Sequence, residues 1–245
     1  MPAHACLRSR VNAVRVAGQN RLLGLLAPAE RQRVMGRCDR VQLEQRTVVY
    51  APGAEIDEVY FPLSGIVSLV IASEEGETVE VGTVGNEGML GSPLVLGADR
   101  SPFEAVVQAA GEFLRLPRDE LRRELKRDGG LRSVAERFAQ ALTNQIAQSV
   151  LCNRAHSVEE RLCRWFLMAH DRVGSSEILL TQEFVAQMLG VRRPSITVAA
   201  GLLQKAGLIT YAPGKLKIVD RAGLEACACE CYRIIRDETD RLLKA

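Results

Sequence analysis

Thr181-Gln182-Glu183-Phe184-Val185-Ala186-Gln187-Met188-Leu189-Gly190-Val191-Arg192-Arg193-Pro194-Ser195-Ile196-Thr197 decides how the rest of this chain is read. Thr181 is a capping residue for a helix through Phe184, Val185, Met188 and Leu189, and Gly190 ends it. Pro194 stands where a first helical turn tolerates proline and opens a second helix running to Ala206. Val185, Leu189, Val191, Ile196, Leu202 and Leu203 give the pair an inner face. Arg193, Ser195 and Thr197 are left on the start of the second helix, which is the layout of a helix-turn-helix.

Leu208-Ile209-Thr210-Tyr211, a turn at Ala212-Pro213-Gly214 and Lys215-Leu216-Lys217-Ile218-Val219 follow. The alternation puts Lys215 and Lys217 on one exposed face of a hairpin, a basic wing beside the two helices. A glycine turn between two helices is common, but helix, helix and basic wing in that order is more specific. Arg193 is then the candidate for a base edge, with Ser195 and Thr197 beside it. Arg192, Lys215 and Lys217 are placed for phosphates, which fix register without reading sequence.

Upstream, Ser157-Val158-Glu159-Glu160 is a capping box that starts a second domain near residue 155. Before it, Leu131, Val134, Ala135, Phe138, Ala141, Leu142, Ile146 and Val150 recur at helical steps over more than five turns. That stripe is longer than a small β-domain covers. Either the carboxyl-terminal part or a second copy of the chain must pack along it, and a two-helix dimer seam is the expectation. Between Val41 and Pro117 the period is that of strands: Thr47 to Tyr50, Val59 to Phe61, Ile66 to Ala72, Thr78 to Val84, Phe103 to Ala109 and Phe113 to Leu116. Ser73-Glu74-Glu75-Gly76-Glu77 reads as a solvated hairpin loop between two of them. Asn20 to Gly36 reads as two short helical pieces broken at Pro28.

The 245 residues are 47% hydrophobic and 25% charged, a globular composition, and the net charge of +2 names no partner. Charge is polarised, however: residues 51–100 hold nine acidic residues and one basic, residues 181–220 five basic and two acidic. No run of apolar residues is long enough to span a bilayer, and the start lacks an apolar secretory core. Arg8, Arg10, Arg15 and Arg21 without an acidic neighbour share a bias with transit peptides. Seven irregularly spaced cysteines nevertheless point to reduced thiols and a cytoplasmic protein.

The order β-sandwich, long helix, winged helix-turn-helix resembles the Crp/Fnr family of bacterial transcription regulators over roughly residues 20–223. Leu180 to Thr197 carries the best match, with support from Val49-Tyr50-Ala51-Pro52-Gly53 and Val59 to Val67. The resemblance implies an α+β chain with the following parts: a basic tail (1–19), a cyclic-nucleotide-binding-like jelly-roll sensor (20–128), a dimerisation helix (129–154), a winged helix-turn-helix (155–223) and a C-terminal helix (224–245). It implies a homodimer on a two-fold symmetric promoter, with RNA polymerase as a further partner and sensing that reorients the DNA heads. Gly91, Ser92, Phe103 and Glu104 fall where relatives hold an effector. Relatives that bind cyclic nucleotides use a Gly-Glu pair and an arginine there, whereas this chain has Gly91-Ser92 and Phe103-Glu104. Ordinary cyclic AMP is therefore not the expected effector, and the effector stays unidentified. Cys6 and Cys38 are too few for an amino-terminal iron–sulfur cluster. Recognition-helix positions that often read Arg-Glu and then Arg hold Arg193, Pro194 and Val198, so the operator should differ.

Cys227, Cys229 and Cys231 form a C-x-C-x-C run in a helical pattern, where only Cys227 and Cys231 would share a face. With no second thiol pair in sight, packed side chains are expected rather than a metal or redox site. Cys152 and His156 stand one turn apart without an orienting group or oxyanion hole, so no catalytic residue is assigned. His4 and His170 carry no haem assignment, and Glu74 to Glu80 no cation. Two rival functions remain at this level: a small-molecule or partner-binding protein whose winged domain makes protein contacts only, and a thiol-dependent enzyme.

Overall fold

The computed structural model describes residues 19–173, 175, 177–212 and 214–244. The basic tail up to residue 18, with His4 and Cys6, lies outside these, as does Pro213 of the wing turn.

The chain opens with α1 (Arg21–Gly24) and α2 (Pro28–Met35), then β1 (Asp39–Leu43), β2 (Val48–Tyr50), β3 (Glu58–Pro62), β4 (Ile66–Ala72) and β5 (Thr78–Val84). A short α3 (Ser92–Val95) precedes β6 (Glu104–Ala109), β7 (Gly111–Pro117) and α4 (Arg118–Leu125). The strands form two antiparallel sheets, β1-β7-β3 and β2-β6-β4-β5, closed over a core of Ile56, Phe61, Leu69, Met89, Phe113 and Leu116. Ile66 to Val70 is buried on both faces. Val67 and Leu69 point into the sandwich, while Ile66 and Val70 meet the second domain, so this strand reads as a continuous apolar run.

The long helix α5 spans Gly130–Ala155, and α6 (Val158–Val173) follows after a break at His156. The capping box forms as expected: the Glu160 amide donates to Ser157 Oγ (3.3 Å), and the Ser157 amide donates to Glu160 Oε2 (2.8 Å). The second domain continues with β8 (Glu177–Leu179), α7 (Gln182–Leu189), α8 (Arg193–Lys205), β9 (Ile209–Ala212), β10 (Lys215–Ile218), α9 (Arg221–Cys227) and α10 (Cys231–Leu242). The wing is three-stranded, ordered β8-β10-β9.

Two expectations are corrected here. Most of the α5 stripe is covered within the chain, since Leu131, Val134, Ala135, Phe138 and Leu142 are buried in the core of the β-domain. Farther along, α10 packs on the helix, with Asn144 Nδ2 donating to Glu238 Oε1 (3.0 Å) and Gln148 Nε2 to Cys231 Sγ (3.1 Å). What α5 leaves exposed is a strip through Glu136, Gln140, Ala147, Arg154 and Val150, the last residue of the expected stripe. The segment expected as one C-terminal helix is instead two, because Ala228 turns extended (ψ 149°) between them.

Across the domain junction runs a polar layer. Trp165 Nε1 donates to Glu80 Oε1 (2.9 Å), Arg172 Nε to Glu87 Oε1 (2.8 Å), and Gln145 Nε2 to the Thr83 carbonyl (3.1 Å). These bonds fasten α5 and α6 to the β4–β5 hairpin and the loop after it.

Candidate nucleic-acid interface and sensor pocket

Thr181 Oγ1 accepts from the Phe184 amide (3.2 Å), fixing the start of α7. At its end Gly190 takes the left-handed conformation (φ 60°, ψ 42°), and the Val191 amide reaches back to the Ala186 carbonyl (3.0 Å). This cap aims α8 away from α7. Ile196, Ala199, Ala200 and Leu203 turn inward, at steps of three, one and three. Leu202, expected inside, is 50% exposed, because the inward stripe passes through its neighbour Leu203. With Val198 it forms an apolar patch on the outer face.

That outer face also carries most of the sequence-predicted contacts. Arg193, 65% exposed, makes one long ion pair of 3.8 Å to Glu183. Thr197 Oγ1 donates to Gln182 Oε1 (2.7 Å), so Gln182 joins the face across the motif's turn. Arg192 and Ser195 lie round the side, lining a cleft of about 940 Å³ whose opposite wall includes Ser73 and Glu77 of the acidic hairpin. On the wing, Leu216 and Ile218 are buried, and Lys215 and Lys217 are exposed. Lys215 Nζ pairs with Glu177 Oε2 (2.6 Å), and that contact holds the Glu177 carboxyl below its usual range. Sequence reasoning missed Gln182, Glu183, Glu177 and the outward Val198–Leu202 pair. Only the last left a sequence signal, two apolar residues four apart and out of phase with the inner stripe.

In the β-domain, Gly91, Ser92 and Phe103 come together, lining a cavity of about 20 Å³ with Tyr50, Met89 and Leu142. That volume holds about one water, against roughly 300–1,000 Å³ for an ordinary small-molecule site. Among the described residues no basic side chain lines it. Glu104 is not part of it; it sits in β6 opposite Val70.

Cys152 and His156 are joined by residues the sequence reading kept apart. Cys152 Sγ lies 3.5 Å from Cys229 Sγ, and Cys231 Sγ 3.6 Å from His156 Nδ1. The expectation that no metal-ligand set exists missed this cluster because it assumed an unbroken helix through Cys229. Hydrogen bonding from Cys229, aided by the Arg164 charge, holds the Cys152 thiol low. Yet Cys152 is wholly buried, out of reach of a substrate.

A sheet sandwich joined by a long helix to a winged helix-turn-helix defines a DNA-binding regulator with a sensor domain. Residues 40–128 match the cyclic nucleotide-binding domain family, and residues 160–227 match the Crp-like helix-turn-helix domain family. The chain is 26% identical to the transcriptional regulator SdrP of Thermus thermophilus, over 78% of this chain and 94% of that protein. It is 24% identical to the global nitrogen regulator of a Nostoc species, over 71% and 82%. Among solved structures, a putative Crp/Fnr-family regulator of Eubacterium rectale superposes with TM-score 0.64 at 17% identity, covering 84% of this chain and 96% of that one. A CRP-family regulator of Thermus thermophilus gives 0.65 at 17%, covering 77% and 96%. The chain belongs to the Crp/Fnr family of transcriptional regulators. Among the described residues no helix is long and apolar enough to cross a membrane.

Proposed function

We infer that this regulator binds a two-fold symmetric operator as a cytoplasmic homodimer, with the outer face of α8 in the major groove. The observation that carries this reading is the exposed Arg193 at the start of a helix aimed outward by the Gly190 cap. Its guanidinium matches the two acceptors of a guanine edge. Thr197 reads beside it, and Val198 and Leu202 suit thymine methyl groups. Arg192 and Ser195 flank the groove, and Lys217 and Lys215 take phosphates, Lys215 after release from Glu177. The exposed strip of α5 through Ala147 and Val150 supports pairing of two chains at three- and four-residue steps. At a promoter the further partner is RNA polymerase, as suits a relative of transcriptional regulators. The buried Cys152 supports a regulatory rather than an enzymatic role.

The docked head is the low-affinity state, since Glu77 and Arg192 line the same cleft, where a phosphate backbone would meet the carboxylate. The cavity formed by Gly91, Ser92 and Phe103 is too small for a nucleotide, so an effector that enters there must first displace Met89 or Phe103. Selection from a random DNA pool at fixed salt tests the whole reading. A palindromic site whose recovery is lost with Arg193→Ala supports it; no enriched site, or one indifferent to that change, refutes it.

A further inference from the structure

Four side chains with metal-ligating atoms converge at the junction of α5, α6 and α10. Cys152 lies in the last turn of α5, and His156, four residues on, is the extended residue that caps it. Cys229 comes from the break between α9 and α10, and Cys231 is the first residue of α10. In a continuous helix two residues two apart point to nearly opposite sides. Here the extended Ala228 brings both thiols to the same point. The four donor atoms all lie within 4.8 Å of one another.

The two shortest of those separations match what one small ion requires. A tetrahedral centre with metal–sulfur bonds of about 2.3 Å and a metal–nitrogen bond of about 2.0 Å sets its donors roughly 3.5–3.8 Å apart. Cys152 and Cys229 are 3.5 Å apart, and Cys231 and His156 3.6 Å. An iron–sulfur cluster spreads its protein ligands over two or more irons and so needs a wider ring of donors.

The surroundings fit a charged centre as well. His156 turns Nδ1 toward the thiols and Nε2 toward Glu230 Oε2 (3.2 Å), the carboxylate–imidazole arrangement that orients a histidine ligand. Three thiolates and a divalent cation leave one negative charge. Two buried arginines, Arg161 and Arg164, stand close enough for their charges to act on these thiols. Each has a buried Nε without a hydrogen-bond partner. Arg161 also donates to the Leu189 carbonyl at the end of α7, so the centre adjoins the helix-turn-helix itself.

We propose that Cys152, His156, Cys229 and Cys231 bind one tetrahedral divalent ion of the zinc class, which ties the end of the dimerisation helix to the C-terminal helix. Binding releases to solvent the protons that the three thiols and the His156 ring still carry, and no other bond within the protein changes.

The full-length chain, purified under reducing, oxygen-free conditions, is analysed for metal and then titrated with Co²⁺. One ion per chain, a thiolate-to-cobalt charge-transfer band and the strong visible bands of a tetrahedral site are expected. Cys152→Ser and Cys229→Ser should abolish the bands, whereas Cys227→Ser and Cys38→Ser should leave them intact. Glu230→Gln should weaken affinity by about 10–100-fold. X-ray absorption of the unmutated zinc-loaded protein supplies a second reading if a variant fails to fold, with three sulfurs and one nitrogen expected. Absence of a stoichiometric ion, an octahedral cobalt spectrum, a Cys152–Cys229 disulfide in place of the ion, or an iron–sulfur chromophore would overturn the proposal.

Discussion

Replacing Glu80 with glutamine should remove a specific part of this protein's pH-dependent stability. The Glu80 stem is partly exposed, but its carboxyl group is inside: Oε1 accepts from Trp165, and Oε2 is buried without a partner. Burial raises its pKa from 4.5 to about 7, against the pull of Ser68, Arg164, Trp165 and Arg172. Below pH 4.5 the carboxyl is protonated whether the chain is folded or not. Between 4.5 and about 7 the folded chain keeps a proton that the unfolded chain releases, so stability falls as pH rises and the full penalty stands above pH 7. At about 1.4 kcal/mol per pH unit the whole displacement is worth about 3 kcal/mol. Glutamine keeps the acceptor for Trp165 but cannot ionise. Any fixed cost of its buried amide cancels when variant and parent are compared at two pH values. Urea unfolding at pH 4.5 and pH 8, followed by the fluorescence of the single tryptophan, measures the quantity directly. The variant should gain up to about 3 kcal/mol on the parent between the two pH values. A difference below about 0.5 kcal/mol would refute the placement of this carboxyl in a low-dielectric junction.

Four further outcomes are expected. Arg193→Ala should cost about 1 to 3 kcal/mol at a selected operator and much less on random DNA, measured by fluorescence anisotropy. Lys217→Ala should weaken binding to all sequences alike and reduce the slope of log affinity against log salt by about 1. Gly190→Ala should destabilise the chain by about 1–2 kcal/mol in urea unfolding, because a non-glycine residue resists φ 60° and its Cβ would sit 3.3 Å from Val79 Cγ2. Val150→Glu puts a charge on a residue 68% exposed in the single chain, and should lower the dimer fraction in sedimentation without lowering monomer stability.

The helix-turn-helix was legible because its signals are local: the Thr181 cap, Gly190 and Pro194 each act within a few residues. The six sandwich strands quoted from the sequence all form, whereas β1 and β8 were not anticipated. In β8 the three residues Glu177 to Leu179 are too few to show a period, and pairing with β10 alone defines the strand. What covers most of the α5 stripe was not legible for a similar reason. Periodicity shows that a face must be covered but is silent on what covers it, and here the β-domain and α10 do. The thiol cluster depended on a helix break at Ala228, a residue with good helix propensity, so composition pointed the wrong way.

These features together bear on where regulation acts. The β-domain touches its helices through bare backbone: a Cβ on Gly88 would lie 2.0 Å from the Phe138 ring, and one on Gly85 2.6 Å from Arg172. At such distances sheet, α5 and α6 cannot slide by small side-chain adjustments, since packed interiors switch between arrangements rather than deform smoothly. The small cavity beside Met89 and Phe103 has little room to drive such a switch from within the roll. The joints are different. The Glu80–Trp165 bond sits between the roll and α6, and the four-ligand cluster sits at the break between α5 and α6. Each is a polar group in a buried place whose charge state changes what the junction can hold. An input at either joint bears on α6 and, through Arg161, on the turn that aims the recognition helix. On this reading the head is released by altering its fastenings, and the jelly roll acts mainly as the frame to which they attach.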